Sequence, residues 1–302
     1  MRYRLFCIIL TLISLSYHFS GISQGTVNLR NSERELTDIF KEISQAGTDS
    51  LKLSASREFL DRLRLALQIE GSVEYPWDSL KNVARITSPD GLFRIYNWNV
   101  PLVSGGNRYF CLLQFRKAWK KIPPVALHDF SDSIAEPEKY TGDSLHWYGA
   151  LYYCIIPYTL RDKSTSYILL GWDGISHELC SKVIDVLTFK SSGSPVFGAK
   201  VFPDYGEGKL TRIIFRYSSS ATMSLRYRMQ TIPGKPIWNS RKKEYESDDV
   251  SLKMIVFDHL MPVDPQLEGQ YKFYIPSSET AEGFRYENYS WRYVKEFDAR
   301  NP

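Results

Sequence analysis

The sequence predicts an α+β protein: two amino-terminal helices with a large, mainly antiparallel β domain interrupted by one helix. Three observations predict it. Apolar residues recur at helical spacing between residues 31 and 70. From about Val83 onward the pattern changes to runs of β-branched and aromatic residues broken by turn signals. One more helical stripe lies inside that region, between Ser176 and Leu187.

The first helix is read in "NSERELTDIFKEISQAG". There Ser32 and Glu35 have the spacing of a capping box, Leu36, Ile39, Phe40 and Ile43 form one face, and Gly47 marks a stop. In "SASREFLDRLRLALQIEG" the residues Phe59, Leu60, Leu63, Ala66 and Leu67 make a second stripe, with Arg57, Asp61, Arg64 and Gln68 opposite. Pro76 and Trp77 close this segment. Three parts follow: a signal peptide over 1–23, a helical segment over 24–82 and a β-rich domain over 83–302.

Arg2 and Arg4 precede an apolar run from Leu5 to Leu15, and small residues at Gly21 and Ser23 fit cleavage before Gln24. That run is about half the ~20 residues a membrane span needs, and no later stretch approaches it. The expectation is an exported protein, periplasmic or secreted, with no membrane span after cleavage. Cys7 lies too early to carry the lipid of a mature lipoprotein. Losing the segment removes two arginines and no acid, so the formal charge falls from +4 to +2. With both signs interspersed there is no basic footprint, and no nucleic acid is expected as a partner.

In the β region, "ITSPDGLFRIYNW" reads as a hairpin around Pro89, Asp90 and Gly91. The runs "RYFCLLQF" and "GALYYCIIPY" are apolar enough for central strands, and "MSLRYRM" alternates as a strand with one wet face. "SLKMIVF", "SYILLGW", "TRIIFRY", "YKFYI" and "WRYVKEF" are further strands. Gly171 to Gly174 reads as a turn, Ser176 as a cap, and Leu179, Val183, Ile184 and Leu187 as one helical face. "SPDG" and "GWDG" hint at a propeller, but no blade repeats.

The cysteines left after export are Cys111, Cys154 and Cys180. Apolar neighbours make Cys111 and Cys154 buried small hydrophobes, and a disulfide between them requires adjacent strands.

Candidate chemistry is dispersed. Asp173, His177, Glu178 and Cys180 crowd together, but the place four residues after His177, where a zinc-protease helix needs its second histidine, holds Ser181. No metal site and no cofactor are expected. "SGSPVF" around Ser192 resembles the nucleophile segment of glutamyl-specific serine proteases over six residues. It departs from them at Lys190, where that family has glycine, and no histidine lies in the matching context, so a turn is the stronger reading. Asp258 and His259 are adjacent, and neighbours on a strand face opposite ways. Asp143 and His146 have the spacing of a hydrogen-bonded pair near a strand end. Nucleotide-binding glycine motifs and paired C-x-x-C motifs do not occur.

Aromatic residues are abundant, with 20 Tyr, 16 Phe and 7 Trp, and three tryptophans fall near predicted strand ends or loops: Trp98, Trp147 and Trp238. They are the candidate ligand-binding surface, since exposed rings stack on sugars and protein partners. At "YYCIIP", "YILLGWDG", "KVIDVLTF", "IIFRYSSSATMSLRY", "IVFDHLMP" and "FDARN" the chain resembles a family of exported proteins of Bacteroides-group bacteria with no assigned activity. The resemblance implies an envelope or secreted location and a scaffold role for "GWDG", and it carries over no catalytic residue. The leading expectation is therefore a non-catalytic binding or cell-envelope-associated protein, with a glycan or an envelope protein as partner. The alternative is a secreted or periplasmic hydrolase drawing on Asp173, His177, Asp258 or His259.

Overall fold

The computed structural model describes residues 25–297, apart from positions 117, 118, 120, 233, 235 and 248. The signal-peptide segment lies outside the described residues. Helix α1 spans 25–45 and α2 spans Asp49–Ala66, the latter capped by the Thr48 side chain, which accepts from the Leu51 N–H. The start of α1 corrects the capping-box reading, because Ser32 sits inside the helix. Its neighbour Glu33 is buried instead, where it accepts from the Tyr75 hydroxyl and the Ser79 N–H.

The strands form three antiparallel sheets. Strands β1 (Ala84–Thr87), β2 (Phe93–Pro101), β3 (Asn107–Phe115) and β4 (Val125–His128) make a meander in that order. The second sheet runs β5 (Leu151–Thr159), β6 (Thr165–Gly174), β7 (Leu179–Phe189), and then β8 (Pro195–Phe197) and β9 (Ile213–Ser218), which pair with opposite ends of β7. The third is ordered β10 (Leu225–Ile232), β13 (Val250–Pro262), β14 (Tyr274–Glu287), β15 (Ser290–Phe297). A separate two-stranded ribbon, β11 (Pro236–Asn239) with β12 (Glu244–Ser247), lies in the chain between β10 and β13.

Side-chain alternation stacks these sheets into four layers, helices first. On β2 and β3, Tyr96, Trp98, Val100, Phe110 and Leu112 face the helices and bury Phe59 and Leu63 of α2. Their neighbours Phe93, Ile95, Cys111 and Leu113 face the second sheet and meet Tyr167, Leu169, Val183 and Leu187. The far side of that sheet, through Ile168, Leu170, Ile184 and Val186, packs on Ile255, Phe257 and Phe284 of the third. Strands β2, β3, β6 and β7 are therefore buried on both sides. That is why β3 and β6 carry nearly continuous apolar runs, "YFCLL" and "YILLGW".

The same fact corrects the helix expected at 176–187: the segment Leu179–Phe189 is strand β7. Val183 and Leu187 point into one core and Ile184 and Val186 into the other. A strand apolar on both faces has no period of its own, so a helical stripe can be drawn through it, while its β-branched residues favour the extended form. Gly171 and Gly174 belong to β6, and the turn lies at 175–178, where the Glu178 N–H donates to Ser176 Oγ. "GALYYCIIPY" is also corrected, from a central strand to the edge strand β5. Pro157, which has no N–H to give a ladder, is tolerated there. The three cysteines among the described residues are free, Cys111 on β3 and Cys154 on β5 lying in different sheets. No described helix is long and apolar enough to cross a membrane.

Candidate functional site

Most of the buried charged residues among those described, Asp129, Asp173, Asp185 and Arg212, gather around the core between the first two sheets. There Arg212, wholly buried, donates from Nε to Asp185 Oδ1 at 3.0 Å and from Nη1 to the Pro137 and Tyr140 carbonyls. Its guanidinium lies 5.3 Å from the Tyr148 ring, and Nη2 has no hydrogen-bond acceptor among the described residues. Asp185 also accepts from the Tyr152 hydroxyl, which in turn accepts from Trp147 Nε1. These bonds tie segment 137–140, β5, β7 and the residue that enters β9 into one buried network, and each carboxylate oxygen of Asp185 is occupied. The network's chemistry is structural.

Asp173 faces the same interlayer space. It accepts from the Tyr109 hydroxyl at 3.0 Å and the Tyr148 hydroxyl at 2.9 Å, and Tyr109 itself receives the Gly174 N–H. Burial pushes its carboxyl up to about 6, against the lowering effect of the two tyrosine bonds. The folded state thus holds this proton more tightly than the unfolded chain. Stability from this group is greatest below about pH 4 and falls as the pH rises to about 6, by about 3 kcal/mol in all. In urea unfolding between pH 4 and 7, an Asp173→Asn variant is expected to gain that much on the wild type as the pH rises. A constant difference between the two would contradict it.

The histidine and carboxylate candidates do not assemble as the sequence offered them. His177 is exposed in the β6–β7 turn, beside Gly105, and its carbonyl accepts from Ser219 Oγ; Asp173 is engaged by tyrosines instead. Asp258 Oδ2 accepts from the Ser224 N–H, and burial raises its carboxyl above the ordinary range. His259 turns to a different partner, placing Nδ1 3.0 Å from Glu282 Oε1 on β14. Spacing along the chain carries no sign of that partner, because 23 residues separate the two. Asp143 and His146 do pair, with Nδ1 2.9 Å from Oδ1, in an exposed turn. Ser192 is exposed in the β7–β8 turn, where its Oγ lies 2.9 Å from Ser194 Oγ, in keeping with a turn. Among the described residues no group of three or more His, Cys, Asp or Glu is placed to hold a metal ion.

The tryptophans separate sharply. Trp98 is wholly buried between α2 and the first sheet, stacked on Phe110 and edge-on to Phe59. Trp147 is wholly buried in the next layer. Both are core, which corrects their assignment to a binding surface: their indoles fill the space between layers. Trp238 alone of the three is open, at 52% exposure on the β11–β12 ribbon. Directly across the ribbon stands Tyr245, 72% exposed, with ring centroids 5.1 Å apart in an edge-to-face arrangement. Glu244 pairs with Asn239 one position nearer the tip, so the strand alternation turns its side chain to the opposite face. The aromatic face is joined to the third sheet through β10 and β13, and the tip is closed by the basic stretch Arg241, Lys242 and Lys243, with Lys243 in the left-handed region.

A cleft of about 1090 Å³ opens elsewhere, where α1 begins and α2 ends, lined in part by Leu29, Ile69, Tyr75, Phe115 and Ile122. None of the candidate residues lines it. In comparisons with known proteins, the chain matches no protein-family model, no curated protein and no solved structure.

Proposed function

We propose that this chain is an exported, non-catalytic binding or envelope-associated protein that meets its ligand through the Trp238–Tyr245 face of the ribbon. The single observation that carries the reading is that pair of exposed rings, held edge-to-face on a hairpin outside all four layers. Open aromatic faces with charged and polar neighbours suit a glycan, whose ring C–H groups stack while its hydroxyls take hydrogen bonds. The amino-terminal segment with signal-peptide features supports export.

The test is a melting-temperature panel of glycans and peptidoglycan fragments. A ligand at 100 times its dissociation constant is expected to stabilise the fold by about 2.7 kcal/mol, several degrees for a chain of this size. Trp238→Ala/Tyr245→Ala should lose that shift while melting, unliganded, within a degree or two of the wild type. A shift that survives both substitutions removes the ribbon from the binding site. The hydrolase alternative draws support from one contact, His259 with Glu282, in which a carboxylate orients the imidazole for proton transfer. Hydrolysis of a panel glycan or ester that His259→Ala abolishes would favour it.

A further inference from the structure

An unpaired edge strand presents a row of N–H and C=O groups that another chain can join, and most edges of this fold are blunted against it. Strands β1 and β4 are four residues long and β8 three. Strand β5 carries Pro157 and a register shift between Tyr152 and Cys154. Strand β15 shifts register against β14 between Ala281 and Gly283, and the segment Tyr271–Phe273 lies against β9. Strand β10 has none of these features. Its eight residues pair with β13 in unbroken register from Leu225 with Phe257 to Ile232 with Val250, they include no proline, and among the described residues no strand joins the other side.

Two bonds at the start of β10 fix which groups face outward. The Ser224 carbonyl accepts from the Asp258 N–H of β13, whereas the next carbonyl, that of Leu225, accepts from the Tyr153 hydroxyl on the opposite side. Backbone groups alternate along an antiparallel strand, so Tyr227 and Met229 turn N–H and C=O to the open side. The side chains alternate as well. Arg226 and Arg228 stand on the outer face of the third sheet, in register with Val256 and Met254, while Tyr227 and Met229 share the side of Leu225, toward the second sheet. Arg226 is exposed, and Met229 is 48% exposed.

These side chains select the occupant. A second copy of β10 laid antiparallel would gather four arginines on one face of the joined sheet, and the register centred on Arg228 would set two of them directly opposite, which is destabilising. Asp258 shares that face, but its Oδ2 is held by the Ser224 N–H. We propose that β10 is the docking edge for an extended segment of a partner protein, which adds a strand to the third sheet and alternates acidic with apolar residues. Its carboxylates lie beside Arg226 and Arg228, and its apolar side chains lie beside Tyr227 and Met229. The edge is distinct from the aromatic face of the ribbon and stands without the ribbon reading.

The experiment is calorimetric titration of the whole purified chain with two blocked peptides of the eight-residue length of β10, one alternating glutamate with valine and one alternating lysine with valine. Saturable binding is expected for the glutamate peptide alone. Hydrogen exchange should then slow at the Tyr227 and Met229 amides and stay unchanged at Arg228, whose N–H faces β13. Arg226→Glu should weaken the glutamate peptide by about tenfold or more and let the lysine peptide bind. Met229→Pro removes an outward N–H without touching the ladder to β13 and should abolish binding; if that variant does not fold, Arg226→Glu at its exposed position decides. Trp238→Ala should bind as the wild type does, so that failure here and failure of the ribbon reading are told apart. The docking edge is overturned if the glutamate peptide does not saturate, if both peptides bind alike, or if exchange at Tyr227 and Met229 is unmoved. A concentration-dependent dimer of the chain alone that protects the same two amides would assign the edge to a second copy and equally overturn it.

Discussion

Replacing Arg212 with leucine is expected to lower stability by about 3 to 5 kcal/mol, the usual cost of leaving one partner of a buried ion pair uncompensated. Asp185 would keep its bonds from the Tyr152 hydroxyl and the Val186 N–H, but lose the one positive charge within bonding distance, in a site with no exposure at all. The Pro137 and Tyr140 carbonyls would lose the guanidinium donor in the same step, leaving segment 137–140 held by Thr211, by the Arg212 backbone and by Arg216. At ~2 to 4 °C per kcal/mol the melting temperature should drop by roughly 6 to 20 °C. Arg212→Lys is expected to fall between, since an ammonium restores the charge without the fork that spans three acceptors. A loss below about 1 kcal/mol for Arg212→Leu would mean that Asp185 is not left uncompensated when its buried partner is removed.

Trp98→Ala should cost a similar amount, about 3 to 5 kcal/mol, for a different reason. The indole is the contact through which α2 and the first sheet share a core, touching Phe59 edge-on at 4.8 Å and stacking on Phe110 at 5.4 Å. Its removal leaves a cavity that the two layers cannot close without shifting. Trp238→Ala, on the ribbon, is expected to change stability by no more than about 0.5 kcal/mol, the range of surface substitutions. Chemical denaturation of the two variants side by side distinguishes a tryptophan that holds layers together from one free to meet a ligand. Equal losses would contradict the layer assignment.

Much of this architecture was legible in the sequence. The stripes Leu36, Ile39, Ile43 and Phe59, Leu63, Ala66 do face the core, and the Pro89–Asp90–Gly91 hairpin forms, with Gly91 in the left-handed region. Period failed where both faces of an element are buried. In β7 every position from Val183 to Leu187 is covered, so hydrophobicity could not distinguish strand from helix. Exposure failed for Trp98 and Trp147 because other layers cover them: the helices lie over Trp98 on β2, and Trp147 is enclosed in the core between the first two sheets. Trp238 was found by the same reasoning that misplaced the other two, and what sets it apart is that its ribbon has no sheet stacked on it.

The contacts that decide the chemistry were out of reach for a simpler reason. His259 with Glu282, Arg212 with Asp185 and Asp173 with Tyr109 are joined across strands 23, 27 and 64 residues apart, and spacing in a chain carries no record of such pairings. Asp143 with His146 was readable because only three residues separate them within one turn.

The most direct test of the binding role assigned to the ribbon is intrinsic tryptophan emission during titration with a glycan that shifts the melting temperature. Trp77, Trp98, Trp147 and Trp291 are wholly buried and Trp119 and Trp172 half-buried, so Trp238 is the one tryptophan with most of its surface open to solvent. Ligand should move the wild-type emission to shorter wavelength as that indole is covered, and Trp238→Phe should bind without the shift. The same change in the Phe variant would place the ligand elsewhere and contradict the account.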